Sequence, residues 1–516
     1  MKISKRYALK SVLVPLVAAL LSTSQSMVNA QTGTTTITVA TIGEPPTLDP
    51  MLSTADLVGT ITQHIFETLY TFGDEWKIVP LLASSMPTIS KDGKTMTVFL
   101  RKGVKFHDGS VMTSEDVIAS LNRWMKTAVR GKQAAAEIES ISAVDASTVQ
   151  FKLKNYYAPL LSLLAFNNSA AIVMPAKNTD GSLSKFIGTG PFQFKERQPD
   201  RYIVLSKFPA YTSRTENSNW YGGKRSAQVD EIKFVPVPNA NTRAEGAIGG
   251  QFSFTDAIPV ESYARFAGNT KVEAILTKPF GAPIMFFNTK QGSVADAGIR
   301  RAIQMSLNTS DMLEAAFGNN QFYAVDGSFY PQGFPFHSKA GLEAYNQNSP
   351  EKAKELAKKS GYTGRVIRIL ASSQYDFHLK MAQVAVQHMR MAGFTVDLQI
   401  SDWATLTTRR NDPAAWEIYF THSPFLPEPA LSSIMNNNAP GWWASEAKNK
   451  IADQLNEEPD FEKRKKAFGD FQKLMYEEVP IIKVGNFNVA SAKSTNLIGY
   501  KPSPWPFFWN VSLKNN

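Results

Sequence analysis

Apolar and polar positions follow two different rhythms along this chain, and the rhythm changes at turn-forming residues. Thr36 to Thr41 alternates with a period of two, which predicts a short strand, and Gly43-Glu-Pro-Pro-Thr-Leu-Asp-Pro50 follows as a turn-rich loop. From Asp56 to Tyr70 the spacing becomes helical, with Val58, Ile61, Ile65, Phe66 and Leu69 along one side. Thr97 to Leu100 predicts a strand, Asp108-Gly109 a turn, and Thr113 the cap of a helix, with Asp116 three residues on as a capping-box variant.

Further along, the alternation of types is regular. Ser349, Pro350 and Glu351 open a helix that Gly361 ends, and Val366 to Leu370 is a branched-residue strand. Lys380 to Ala392 is helical and stops at Gly393, and Thr395 to Ile400 alternates as another strand. Strand, helix, strand at this spacing is a βαβ unit, which closes by a right-handed crossover in a parallel sheet. A helical pair at Ile451 to Leu455 and Phe461 to Tyr476 precedes the apolar run Val479-Pro-Ile-Ile-Lys-Val484. The pattern as a whole is α/β.

Composition changes that picture in two places. Lys2, Lys5, Arg6 and Lys10 precede the apolar run Val12 to Leu21 and a small-residue end at Ala30, which reads as a signal peptide over residues 1–30. Its loss would leave 486 of the 516 residues and take the formal charge from +10 to +6, because four basic and no acidic residues go with it. The remaining basic residues are dispersed, which argues against a nucleic-acid partner. The chain has no cysteine, so disulfides and lipid attachment through an N-terminal cysteine are both excluded, and stability has to come from the core. A free periplasmic protein, monomeric, is the expectation.

The order of residues in Gly103-Val-Lys-Phe-His-Asp-Gly109 and Thr113-Ser-Glu-Asp-Val117 resembles the extracellular solute-binding proteins of peptide and nickel ABC importers. The loop ending Leu48-Asp-Pro50, the segment Ile187-Gly-Thr-Gly-Pro-Phe192, Asp230 to Phe234 with Pro238 to Arg243, and Phe287-Asn-Thr289 with Ile299 to Ile303 extend the likeness over nearly the whole chain. The resemblance implies a periplasmic-binding-protein fold of two large lobes joined by hinges, with a smaller subdomain inserted in the first. Residues 31–71, 185–278 and 485–516 would make the first lobe, 72–184 the extra subdomain and 279–484 the second lobe. The crossing is placed at the proline and glycine cluster Pro279 to Pro283. The implied function is capture of a small solute, a short peptide first, and its delivery to an inner-membrane ABC permease, with no cofactor and no catalysis.

Six histidines are the best material for an enzyme, and none stands in a metal or nucleophile motif. His107-Asp108 reads as a turn beside a helix cap. Nine tryptophans, 32 phenylalanines and 16 tyrosines suit the walls of an enclosed binding site, although most must be core. Candidate ligand contacts are Glu44 in the first loop, Thr189 between its two glycines, Lys380, Trp403, Thr421, His422, Ser423, Glu428 and Trp443. Lys380, Arg409 and Arg410 could meet an anionic end of a ligand.

The stretch Trp416 to Pro429 departs from the resemblance. Peptide-binding relatives often carry an Asp there that pairs with the ligand's ammonium, and this chain has Thr421, His422 and Ser423, with Glu428 as the nearest carboxylate. Either Glu428 takes that role or the ligand has no amino group at that place. A nickel chelate, haem, opine or oligosaccharide is therefore an alternative ligand on the same fold. A periplasmic hydrolase or chaperone-like protein is the alternative of a different class.

Overall fold

One mixed sheet runs through the molecule in the order Val396–Ser401, Ile367–Ser372, Ile418–Pro424, Val272–Phe287, Asn486–Ser494, Phe254–Thr255, Thr36–Thr41, Glu231–Pro236, Tyr202–Lys207 and Phe192–Gln198. The structure is a computed structural model that describes residues 34–514, so the signal-peptide segment 1–30 lies outside the described residues. No helix among the described residues is long and apolar enough to cross a membrane.

Three apolar cores lie along this sheet. The first joins Ile37, Phe66, Trp124, Phe192 and Phe234 to Trp505, Phe508 and Trp509 of the C-terminal segment. It also contains Val98, Phe151 and Leu153 of a separate four-stranded antiparallel sheet, Thr88–Ile89, Thr95–Phe99, Thr148–Leu153 and Ile138–Asp145, on which the helix Ser114–Thr127 packs. The second core gathers Phe287, Ile303, Leu313, Met381 and Phe420, and the third Phe286, Trp416, Tyr419, Trp443 and Phe468.

Local chemistry explains most element ends. Thr113 and Asp116 form the capping box, with the Thr113 N–H donating to Asp116 Oδ2 at 2.8 Å. Ile367–Ser372 and Val396–Ser401 pair in parallel across the helix Asp376–Met391, as the spacing predicted. That helix starts at Asp376, four residues before the apolar pattern begins at Lys380, and its first turn carries Phe377 against Phe317 and Phe487.

Two sequence expectations need correction. The first helix stops at Thr62 and does not run on to Tyr70. The carbonyls of His64 and Ile65 leave the helical ladder to accept from the Phe192 and Gly190 N–H groups at 3.1 and 2.9 Å. This close approach explains the two glycines: a Cβ on Gly188 would sit 2.1 Å from the Ile65 oxygen, and one on Gly190 2.3 Å from that of His64. The second correction is that Pro279 to Pro283 does not interrupt structure. Val272–Phe287 is one strand whose pairing with Asn486–Ser494 changes register between Thr277 and Gly281. Beyond that shift its partners are Ile418–Pro424 and Ile481–Lys483.

Candidate functional site

The βαβ unit ends in loops that project Tyr375, Trp403 and His422 toward one another. Tyr375 precedes the helix Asp376–Met391, Trp403 opens the helix Trp403–Arg409, and His422 lies on the strand Ile418–Pro424. The Tyr375 ring lies 4.7 Å from that of His422 and 5.1 Å from that of Trp403. His378 Nε2 and His422 Nδ1 are 3.1 Å apart, so one imidazole donates to the other. Burial pushes His422 down to about 4 and His378 well below its ordinary range, so both are neutral near pH 7. Arg410 extends beside them, its guanidinium 6.0 Å from the Trp403 ring and 5.7 Å from that of Tyr419.

The first core supplies the facing groups. Asp56 Oδ1 accepts from Trp505 Nε1 at 2.9 Å and from Asn168 Nδ2 at 3.5 Å. Desolvation raises the Asp56 carboxyl to about 6, with the Trp505 hydrogen bond opposing. Arg130 stacks on Phe166 at 4.6 Å, and its Nε is buried without a hydrogen-bond partner among the described residues. Burial lowers Arg130 to about 10, with Asp56 opposing. Asp256 sits where the chain passes from Phe254 in the first core to Ile258 in the second, and its carboxyl is also raised by burial. Both carboxylates act on Tyr375, raising its phenol further after desolvation.

The cores also touch directly. Gln133 Nε2 donates to the Ala430 carbonyl at 3.1 Å and the Ala158 N–H to that of Asn456 at 2.8 Å, while Leu426 and Leu431 pack into the first core.

Of the candidates read from sequence, Trp403 and His422 fall together on the Tyr375 side; Thr421 and Ser423 flank His422 on the strand and so face the other way, their hydroxyls donating to the carbonyls of His422 and Pro424. The others have internal partners. Glu44 is held by Arg197 and the Asp200 N–H, and Thr189 donates to Glu67, itself paired with Arg225. Lys380 bridges Asp376 and Glu261, and Trp443 donates to Glu478. Glu428 accepts from Arg464 at 2.6 Å in a pair that is almost fully buried. Arg409 donates to Gln399, and Arg410 lies over the Trp403 and Tyr419 rings with its Nε unpartnered among the described residues.

Asp56, Arg130, Asn168, Asp256, Tyr375 and Trp505 were not among the sequence candidates. Asp56 reads as an acidic first-turn residue and Arg130 as one more dispersed cation, so no local signal marks either.

Residues 77–442, more than half of the chain, match the bacterial extracellular solute-binding proteins, family 5. The chain belongs to that family. This solute-binding protein is 26% identical over 488 residues to a Sinorhizobium fredii protein named as a probable peptide ABC transporter periplasmic-binding protein, covering 90% of this chain and 91% of the relative. Among solved structures it is similar to the Agrobacterium tumefaciens binding protein AgaA in complex with agropinic acid. That likeness has a TM-score of 0.81 at 25% identity and covers 93% of this chain and 99% of the other. It is also similar in fold to the Helicobacter pylori periplasmic binding protein DppA in complex with the peptide STSA, with a TM-score of 0.82 at 21% identity over 93% of this chain and 98% of that one.

Proposed function

We propose that this solute-binding protein is the periplasmic component of an ABC importer and captures a short peptide between its two lobes for an inner-membrane permease. The observation that carries the reading is the aromatic cluster of Tyr375, Trp403 and His422 with the Arg410 guanidinium over the Trp403 ring, together with the Asp56 and Asp256 carboxyls, which burial raises and which have no ion pair among the described residues. A zwitterionic, amide-rich ligand compensates such charges and stacks on such faces, whereas a wholly apolar ligand would leave them buried and unpaired. The peptide-transporter name of the Sinorhizobium relative supports the same class.

The moving parts in this reading are the lobe of residues 31–71, 185–278 and 485–516 with its 72–184 subdomain, and the lobe of 279–484. The first and third cores fall mostly on opposite sides of that division, while the second draws Ala244, Ile258, Phe266 and Val272 together with Phe287, Ile303 and Leu313 across it. Ligand contacts made only when both lobes engage stabilise the closed state, and the permease distinguishes closed from open. No bond chemistry is involved.

A second reading, an opine-like solute, is favoured by the likeness to the agropinic acid complex and by the absence of a free carboxylate from Thr421 to Glu428. Native mass spectrometry of the protein purified from periplasm, followed by calorimetry with a di- to tetrapeptide panel, tests both. Saturable, stoichiometric peptide binding with intact release is expected. An opine retained in place of peptides would overturn the first reading, and peptide cleavage would overturn the non-catalytic one.

A further inference from the structure

Aromatic rings enclose His422 on several sides. Its own ring lies 4.7 Å from that of Tyr375, 5.5 Å from Phe377, 5.8 Å from Phe487 and 5.1 Å from His378. The hydrocarbon rings offer no hydrogen bond, so the two imidazoles depend on each other. His378 is fully buried, with its Nε2 3.1 Å from His422 Nδ1 and its Nδ1 unpartnered among the described residues. His422 is only half-buried, and its Nε2 reaches solvent with no partner among the described residues.

These four nitrogens decide which ring owns the shared proton. With both rings neutral, each carries one N–H and one bare nitrogen. If His422 Nδ1 held the shared proton, His378 would carry its own on Nδ1, an N–H stranded in apolar surroundings. If His378 Nε2 holds it, Nδ1 is a bare lone pair, and in folded proteins the stranded N–H is the rarer defect. The proton therefore belongs to His378, and His422 accepts on Nδ1. Its own proton is forced onto Nε2, the nitrogen on the open side. The same wall has no free acid: the strand Ile418–Pro424 carries none, and Glu428 is held by Arg464.

We propose that His378 is a positioning residue that fixes His422 as the Nε2–H tautomer, so that this wall gives the ligand a neutral hydrogen-bond donor and selects an oxygen acceptor over an N–H group. The inference rests on the peptide reading and deepens it: a carbonyl or carboxylate oxygen of the peptide faces His422. A metal held on Nε2 would need the reverse arrangement, with the stranded N–H on His378.

The test is long-range proton–nitrogen NMR of the full protein carrying isotope-labelled histidine. Wild-type His422 should hold its proton on Nε2. In H378M, which keeps the bulk and removes the donor, the two tautomers should mix. H378Q, whose amide returns an N–H at similar reach, should restore the single form, while circular dichroism and melting show the variants folded. An Nδ1–H form in the wild type, or an unmixed Nε2–H form in H378M, overturns the role of His378; if H378M does not fold, the wild-type spectrum decides. Calorimetry with trialanine reads the donor itself. H422F should weaken binding about tenfold, as expected for one lost hydrogen bond. H378M should weaken it about two- to threefold, because apparent affinity falls with the population of the donor form, and H378Q should recover it. Unchanged affinity in H422F overturns the contact. If trialanine does not bind, the peptide reading falls and sodium acetate decides the donor separately. A saturable shift of the His422 Nε2–H signal supports it, and an unmoved signal at high millimolar acetate overturns it.

Discussion

Arg464 holds the carboxylate of Glu428 at 2.6 Å, each side chain less than a tenth exposed, and this pair fastens the segment after the strand Ile418–Pro424 to the helix Phe461–Glu478. Burial raises the Glu428 carboxyl and Arg464 opposes that rise. Removing one partner strands the other charge, so E428Q or R464M should cost about 3–5 kcal/mol of stability. Urea melts check the loss. Peptide affinity of the remaining folded protein should be unchanged; a weakened affinity in E428Q would place Glu428 in the ligand site.

Protonation of the His378–His422 pair gives a pH signature. His422 takes a proton near pH 6.5 when unfolded but only near 4 when folded, because burial disfavours the imidazolium. Below pH 6.5 the unfolded state therefore binds more protons, and this contribution to stability is complete above 6.5 and is lost as pH falls toward 4. NMR should find the His422 ring shifts flat from pH 8 to 5.5. A midpoint near 6.5 would contradict the pairing.

Asp56 runs in the opposite direction. Its carboxyl is raised to about 6, so the folded ligand-free protein holds a proton that the unfolded chain gives up near 4, and stability rises as pH falls through that window. D56N removes the uncompensated charge and should raise the melting temperature of ligand-free protein by about 2 °C at pH 7.5. The gain should shrink at pH 4.5. Calorimetric melts at both pH values check the sign.

Gly190 is a packing requirement, since a methyl group there would sit 2.3 Å from the His64 carbonyl oxygen. G190A should therefore force the 186–192 segment away from His64 and Ile65 and cost about 3 kcal/mol. Hydrogen exchange should localise the damage to the Gly190 and Phe192 amides, which protect against Ile65 and His64 in the wild type.

The bond from Gln133 to the Ala430 carbonyl joins two segments that the proposed division assigns to opposite lobes. Q133A deletes one hydrogen bond of about 1 kcal/mol and should lower the closed-to-open ratio about fivefold. Single-molecule distance measurement between labels on residues 139 and 450 reads that ratio, and an unchanged ratio would show that this contact does not bias closure.

Much of the scaffold was legible in local pattern. The capping box at Thr113 and Asp116, the parallel pair Ile367–Ser372 and Val396–Ser401, and the helix Phe461–Glu478 all follow from residues within a few positions of one another. The helix expected to continue past Thr62 failed because its carbonyls are claimed by Gly190 and Phe192, more than 120 positions away, and apolar spacing carries no record of that competition. On the aromatic side, Trp403 and His422 were named because they coincide with cleft segments of the resembled family, while Tyr375 and His378 blended into the first turn of a helix.

The sequence by itself determined the α/β scaffold, the family motifs and the lack of any thiol chemistry, because each depends on residue type and short spacing. Only the tertiary structure decided which buried charges are compensated inside the fold. Glu428 and Asp56 look alike in sequence, each an acid at the start of a short helical turn. Glu428 meets Arg464 at a separation of 36 positions and is neutralised, whereas Asp56 meets Asn168 and Trp505 at separations of 112 and 449 and gains hydrogen bonds without a cation. Compensation of a buried charge depends on distance in space, and that distance exists only once the chain has folded.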